Sequence, residues 1–404
     1  MLEGRSFMDS ESHSPICVDL FCGAGGLSDG LRQAGFKPVL AVDFDKHSLN
    51  TYSRNHPDTI TLCEDVTLLP ASAILEAAKG QEIDLLSGGP SCQGYSTHGK
   101  RDEEDPRNFL FEHFIRLVGE VKPKWVMMEN VPGLLTYRKG HFANLITSSF
   151  QAAGYRVASR VLNAADYGVP QLRRRIIFLA TRTDVPISFP DPTHRDTGGT
   201  LFDDGHKAHV TVGEAIGDLP LMGADLESDD WLYANPASND YQRYVRGWCR
   251  KLTLHRANGV SPQAGRVVKF IKEGMGLRSV PVEHLPERFK KMRKISSGAL
   301  RSDCTTLYYR LDRTRPAYTI TCYFRNVASG PFLHPLEDRS LSFREAARLM
   351  SFRDTYEFRG PGLPRQIGNA VPPLLAKAVG EHLIGLLRQE EQRKAPRRRQ
   401  ALLK

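Results

Sequence analysis

The chain has 404 residues, 40% of them hydrophobic and 25% charged, with a formal net charge of +9. A chain of this length and composition is expected to fold as two or three domains without disulfide or metal staples, which excludes disorder as its main state. No apolar run in the sequence approaches the roughly 18 residues of a membrane helix, the opening MLEGRSFMDSESHSPI lacks the apolar core of a signal peptide, and the basic excess points to an anionic partner.

In chain order, short apolar runs alternate with longer amphipathic stretches through residue 181. Strands are predicted at 16–21, 38–43, 59–63, 83–87, 124–129, 155–163 and 175–181. Helices are predicted at 27–34, 46–55, 71–79, 108–121 and 142–153. This alternation reads as a doubly wound α/β sheet with its binding site beyond the C-terminal ends of the strands. Residues 184–240 are rich in Pro, Gly, Asp and His and show no sustained period. Strand-like pieces follow at 317–323 and 330–334, then a helix at 343–350. GNAVPPLLAKAVGEHLIGLLRQ has helical spacing, and the tail APRRRQALLK is expected to fray.

Charge is unevenly spread. Residues 240–315 hold eighteen Lys and Arg against six Asp and Glu, and 388–404 hold seven against two, which leaves the rest of the chain eight charges negative. An acidic body beside a basic insert is the expected footprint of a phosphate-backbone contact.

The seven cysteines, Cys17, Cys22, Cys63, Cys92, Cys249, Cys304 and Cys322, are odd in number. They form no CxxC and match no zinc spacing, so no metal site is expected and the compartment is read as reducing. The default for each is a small buried hydrophobe. Cys92 stands apart, among the turn formers of SGGPSCQGYS.

The stretch VDLFCGAGGL runs from a buried strand into a glycine-rich turn and a helix. Glycines there let the backbone approach a ligand. Ser28 occupies the place of the third glycine of GxGxxG, which weakens a dinucleotide reading. Asp43, ending the next strand, can accept both ribose hydroxyls. Phe44 can stack on a purine, and Asp65 in CEDV can accept from an adenine amino group. Together these suit an adenosine with a ribose and no essential phosphate, which is S-adenosylmethionine. Cys92 sits after the fourth predicted strand, where a thiol can be presented to a substrate; alone it also reads as a loop cysteine without a role. Glu129 emerges from the apolar WVMM run and is expected to feel desolvation, which raises a carboxyl's pKa; the bland reading is a solvated or capping Glu. In QLRRRII, alternation sends Arg173 and Arg175 to one face, a pair able to fix a carboxylate, a carbonyl or a phosphate, or simply a basic edge.

In order, DLFCGAGGLSDGL, AVDFD, CEDV, GGPSCQGYS, MMENVPG, ADYGVPQLRRRIIFLA, LSFREAARLMSF and QIGNAVPPLLA resemble the cytosine-C5 DNA methyltransferase family, of the bacterial restriction-modification type, from about residue 16 to 385. The resemblance implies an S-adenosylmethionine-binding catalytic domain of Rossmann-like form over 1–187. It implies a smaller, irregular, mostly β target-recognition domain over 188–349, and a segment at 350–404 that returns to the first domain. Cys92 maps to the nucleophile, Glu129 to the ENV glutamate, and Arg173 and Arg175 to the QxRxR arginines. Cofactor contacts are implied at Asp19, Phe21, Gly23, Gly25, Gly26, Leu27, Asp43, Phe44, Asp65, Val66, Pro90, Leu110, Asn369 and Val371. Gln93, Ser96 and Arg107 belong to a polar loop, 93–107, able to close over the substrate. The family usually has Pro immediately before the nucleophile; here the order is Pro90-Ser91-Cys92.

The implied activity is methyl transfer to C5 of a flipped-out cytosine in duplex DNA, leaving S-adenosylhomocysteine, by a cytoplasmic, monomeric prokaryotic enzyme without metal. A restriction endonuclease acting on the same site, without a stable complex, is the partner such enzymes imply. The rival readings are methylation of tRNA on the same fold and a catalytically silent DNA-binding homologue. A nicotinamide dehydrogenase explains neither Cys92 nor the basic insert. The target sequence is not legible, its readers being bracketed only within 225–330.

Overall fold

A computed structural model describes residues 14–90, 109–196, 205–229, 231–290, 293–294, 299–300 and 306–401. The first half alternates as the sequence predicts, with every end within two residues of expectation. The elements are β1 (Ile16–Leu20), α1 (Gly26–Ala34), β2 (Lys37–Asp43), α2 (Lys46–Asn55), β3 (Ile60–Cys63), α3 (Ala71–Ala77), β4 (Leu85–Gly88), α4 (Leu110–Val121), β5 (Trp125–Asn130), α5 (His141–Ala152), β6 (Arg156–Asn163), β7 (Gln171–Leu172) and β8 (Arg174–Thr181).

Seven strands form one sheet in the order β3-β2-β1-β4-β5-β8-β6. β1 to β5 run parallel, and β8 is antiparallel to both its neighbours. Strand order reverses between β1 and β4, so a crevice opens beyond the C-terminal ends of the strands, the place where such sheets bind ligands.

Both faces of the sheet are covered, which explains strands that read as nearly continuous apolar runs. Alternate residues serve opposite cores. Val18, Leu20, Leu86, Val126, Met128 and Phe178 pack with Phe111, Phe114, Ile146 and Phe150 of α4 and α5. Cys17, Leu85, Trp125, Met127, Ile177 and Leu179 pack with Leu27 and Leu31 of α1 and with Leu375, Val379 and Leu383 from the far end of the chain. Trp125 is wholly buried; a large apolar side chain so placed contributes roughly 1.5–3 kcal/mol.

Beyond β8 the chain is irregular, as expected. Short helices, however, carry more of it than strands do: α6 (Val212–Ile216), α7 (Asp240–Arg246), α8 (Pro262–Val268), α9 (Glu287–Lys290), α10 (Phe343–Leu349) and α11 (Leu363–Gly368). The strands described there are two-residue pieces. Of the strand-like runs, only Ala317–Tyr318 pairs, parallel to β7, while Leu333 makes isolated bridges. The physical reason is that side chains replace the ladder: buried arginines hold the carbonyls that a neighbouring strand would otherwise hold. Arg310 alone donates to the carbonyls of Ile271, Val268, His334 and Glu337.

The last helix, α12 (Pro373–Ala401), returns to the large sheet. Its first turn meets α1 backbone to backbone. A Cβ on Gly26 would lie 2.4 Å from the Val371 carbonyl oxygen, and one on Gly30 would lie 2.3 Å from that of Pro373. The tail expected to fray is helical through Ala401. Residues 363–394 contain a window long and apolar enough to cross a membrane, but 56% of it is buried inside the protein, where α1 and the sheet occupy its apolar side.

Candidate active site

Three strand ends form the first half of the site. β1 ends in a strained turn: Phe21 has φ 60 and Gly23 φ 51, the left-handed region that side chains other than glycine rarely adopt. Asp43 at the end of β2 holds this turn from below, because its Oδ2 accepts from Gly23 N at 2.8 Å. Its Oδ1 accepts from Asp45 N at 2.9 Å. Burial pushes the Asp43 carboxyl up despite these backbone donors. Each carboxylate oxygen keeps a second lone pair for a hydroxyl. Next to it Phe44 is 76% exposed, an uncovered ring at the crevice. Asp65, beyond β3, is exposed and caps its own turn by accepting from Thr67 N at 2.9 Å.

Beneath the turn lies a buried polar chain. Tyr52 Oη donates to Ser28 Oγ at 2.8 Å, and Ser28 Oγ donates to Asp19 Oδ2 at 2.6 Å. Asp19 is 1% exposed, and its Oδ1 has no partner. Burial lifts its carboxyl to about 7. The residue that weakened a dinucleotide reading, Ser28, thus serves to hold Asp19.

The glycines divide by role. A Cβ on Gly23 would meet nothing within 4 Å, so this position faces open space. Gly25 instead makes room for Tyr356 Oη and His56 Nε2, and Gly26 for Val371. Leu27 and Val66 are core side chains, so only their backbones are free to touch a ligand. Leu110 is half-buried at the start of α4, and Asn369 is exposed at the end of α11.

The turns after β1 and β3, residues 21–25 and 64–66, contain no basic residue, while Asp43 ends β2 and Asp65 follows β3 at the same edge of the sheet. Acceptors without cations disfavour a phosphate and favour a ligand with hydroxyls, an amino group and positive charge. Such a set fits S-adenosylmethionine. Among the described residues no cluster of His, Cys, Asp and Glu can hold a metal.

β4, β5 and β8 build the second half. Glu129 lies opposite Ile177 in the antiparallel β5–β8 register, so Arg175, two residues away, lies diagonally on the same face. Arg175 Nε donates to Glu129 Oε1 at 2.8 Å, with each side chain 13% exposed. The expected desolvated carboxylate therefore has a cation beside it. Two features absent from the sequence reading brace this corner. Gly89 admits the Glu129 carboxylate, since a Cβ there would sit 3.3 Å from Oε2. Asn130 Nδ2 donates to the Pro90 carbonyl at 3.1 Å. The motif ENV carried the signal for Asn130, but its amide role depends on the neighbouring strand. Cys92, Gln93, Ser96 and Arg107 lie outside the described residues, as does Ser91.

Arg173 and Arg175 do not act as one clamp. Arg173 precedes β8 and is 2% exposed. Its guanidinium donates to three carbonyls: Ile320 at 3.0 Å, Gly368 at 3.1 Å and Ala370 at 3.0 Å. It joins the arginine strand to the irregular region and to the QIGNA segment. Gln171 does the same, donating to Leu349 O at 2.9 Å and accepting from Ile320 N at 2.8 Å.

The basic insert is partly self-neutralised. Arg243, Arg246, Lys290, Arg310 and Arg313 pair with Asp240, Asp218, Glu287, Asp338 and Glu273. Arg266, Lys269 and Lys272 remain exposed on α8 and the turn after it. The positive surface is therefore smaller than the formal count.

The sequence model of the C-5 cytosine-specific DNA methylase family matches residues 16–385. The chain is 36% identical to the type II methyltransferase M1.HphI of Haemophilus parahaemolyticus, over 91% of this chain and 86% of that protein. It is 36% identical to M.XorII of Xanthomonas oryzae pv. oryzae, over 94% and 87% respectively. Among solved structures it resembles a prophage-encoded chain from E. coli described as a DNA modification methyltransferase. That match has a TM-score of 0.70 and 27% identity, covering 93% of this chain and all of that one.

Proposed function

The chain belongs to the C-5 cytosine-specific DNA methylase family, a DNA (cytosine-5)-methyltransferase using S-adenosylmethionine, and on that premise we propose that it methylates a flipped-out cytosine in a specific duplex sequence through a covalent bond between Cys92 and C6. The single observation that carries the reading is the Glu129–Arg175 pair at 2.8 Å beside Gly89 and Pro90. Cys92 is tethered to Pro90 by two peptide units.

S-adenosylmethionine supplies a methyl group on a sulfonium, electrophilic enough for transfer to carbon. Cytosine C5 is a poor nucleophile, and the protein's task is to make it a better one. The Cys92 thiolate adds to C6, and the π pair moves into the ring as Glu129 donates a proton or hydrogen bond at N3. The electron pair then available at C5 takes the methyl. Loss of the C5 proton to a base and cleavage of the C6–S bond restore the ring and the thiolate. Arg175 orients the Glu129 carboxyl, and Arg173 fixes the strand that carries Arg175. Asp43 and Phe44 hold the ribose and the purine, and Asp65 the adenine amino group. The open space over Gly23 accommodates the methionine end, and Asp19 holds the turn from beneath through Ser28. C5 and C6 are inaccessible in a stacked duplex, which is why the base must leave it, with loop 93–107 closing over it.

On this reading 1–187 is catalytic, 188–349 reads DNA, and 350–404 returns to the catalytic domain. The enzyme works as a monomer in a prokaryotic cytoplasm. The type II relatives support a restriction endonuclease that shares its site without binding it. Cys92→Ala is expected to abolish methyl transfer to duplex DNA while leaving S-adenosylmethionine binding within about twofold. Tritium transfer to duplex DNA and to tRNA, with calorimetry of cofactor binding, checks both. Full turnover by the variant defeats the covalent mechanism, and labelling of tRNA alone defeats the substrate.

A further inference from the structure

Away from the strand ends, a hollow of about 490 Å³ lies in the irregular region, against Pro364 of α11. Two arginines line it, Arg256 and Arg325, over one aromatic floor. The Arg325 guanidinium carbon is 4.2 Å from the centroid of Phe343, and that of Arg256 is 5.4 Å from it. Asn258 holds Arg325 at two points: its Oδ1 accepts from the guanidinium, and its Nδ2 donates to the Arg325 carbonyl at 3.2 Å.

The buried arginines Arg310, Arg339 and Arg348 of this region have their donors met. Arg339 and Arg348 each meet two carboxylates, and Arg310 meets Asp338 and four carbonyls. Among the described residues neither Arg256 nor Arg325 pairs with a carboxylate, and the Nε of each is buried without a partner. Burial, and secondarily the neighbouring Arg256, bring Arg325 down to about 10. Glu227 also lines the hollow, exposed to solvent and paired with neither arginine. Two like charges held side by side with donors unsatisfied are unfavourable until an anion joins them. Planar guanidinium forks match a tetrahedral oxyanion.

We propose that Arg256 and Arg325 clamp one phosphodiester of the duplex substrate, with Phe343 and Asn258 as positioning residues. The proposal rests on the reading of the chain as a duplex-DNA methyltransferase and adds a specific backbone contact to it. Such a contact fixes register on the duplex without reading bases.

The test uses the full chain and a labelled duplex of mixed sequence, titrated across salt. Arg256→Gln and Arg325→Gln are each expected to weaken binding about 3–10-fold, and the double variant to reduce the slope of log K against log salt by about 0.9, one phosphate. S-adenosylmethionine affinity serves as the fold check and is expected to stay within about twofold. Arg325→Lys keeps the charge, so it is expected to keep the slope while losing affinity severalfold through loss of the fork. Unchanged affinity and slope in the double variant, with cofactor binding intact, overturn the clamp. Failure of the wild-type enzyme to methylate duplex DNA defeats the substrate reading instead, so the two failures are distinguishable.

Discussion

The strand-end crevice and the buried network around α10 treat charge in opposite ways. At the crevice, Phe44 is uncovered and Gly23 faces open space, while Asp19 lies buried beneath the turn. On the inner side of α10, the charges of Arg339, Glu345 and Arg348 are each met by opposite charges. Arg348 reaches Asp218 at 2.5 Å and Asp354 at 2.6 Å. Arg339 reaches Glu345 at 2.7 Å, and Ser342 and Glu345 cap the helix reciprocally. Burial opposes the charges on Asp354 and Glu345, but the pull of the arginines outweighs it, and both carboxyls sit below their ordinary values. Residue type therefore says little about role: a buried arginine matched by carboxylates braces the fold, and the same residue type without one has charge left over.

This contrast can be broken by experiment. The largest effect is expected from Arg348→Met, which takes from the buried Asp218 and Asp354 their shortest cation contacts, leaving Arg246 at 3.5 Å and Arg344 at 3.8 Å. Removing one partner of a buried ion pair costs about 3–5 kcal/mol. Denaturant unfolding reads it, and a midpoint near that of the wild type would remove the network from the scaffold. Glu129→Gln is expected to leave stability within about 1 kcal/mol, because a neutral amide can still accept from Arg175. Single-turnover methyl transfer is expected to fall about 10²–10⁴-fold with loss of the acid. Unimpaired transfer would take Glu129 out of the chemistry.

The last expectation concerns Asp19 and shows only as pH changes. Its folded carboxyl is raised to about 7 by burial, so the folded state holds a proton that the unfolded chain releases near pH 4. The stability this gives is complete below about pH 4 and is lost as pH rises to about 7. Asp19→Asn does not titrate, so its stability relative to the wild type is expected to rise across that window and level off above it. Parallel unfolding curves from pH 4 to 8 check this, and a constant difference would mean that Asp19 is solvated.

The placement of the candidate residues at strand ends was legible in the sequence. The strand ends presenting Asp43, Phe44, Asp65 and Glu129 follow from the alternation of runs. Arg173 does not pair with Arg175's partner, because alternation predicts a face but not a neighbour. Its partners, Ile320, Gly368 and Ala370, lie about 150 residues or more downstream. The basic insert was overestimated for the same reason, since counting charges does not reveal which are paired. LSFREAARLMSF looked like a family signature, and its Arg344, Glu345 and Arg348 prove to be buried to within 1% of full.

The α/β order, the residues standing at the strand ends and the family follow from the sequence alone, because periodicity and turn residues act over a few positions. Only the tertiary structure decided which charges are spent and which are open. It turned β8 antiparallel so that Arg175 meets Glu129, brought Val371 and α12 back against Gly26 and Gly30, and set Arg256 and Arg325 over Phe343 without a carboxylate partner among the described residues. These depend on contacts between distant segments, and the energy of a charge is set by what surrounds it.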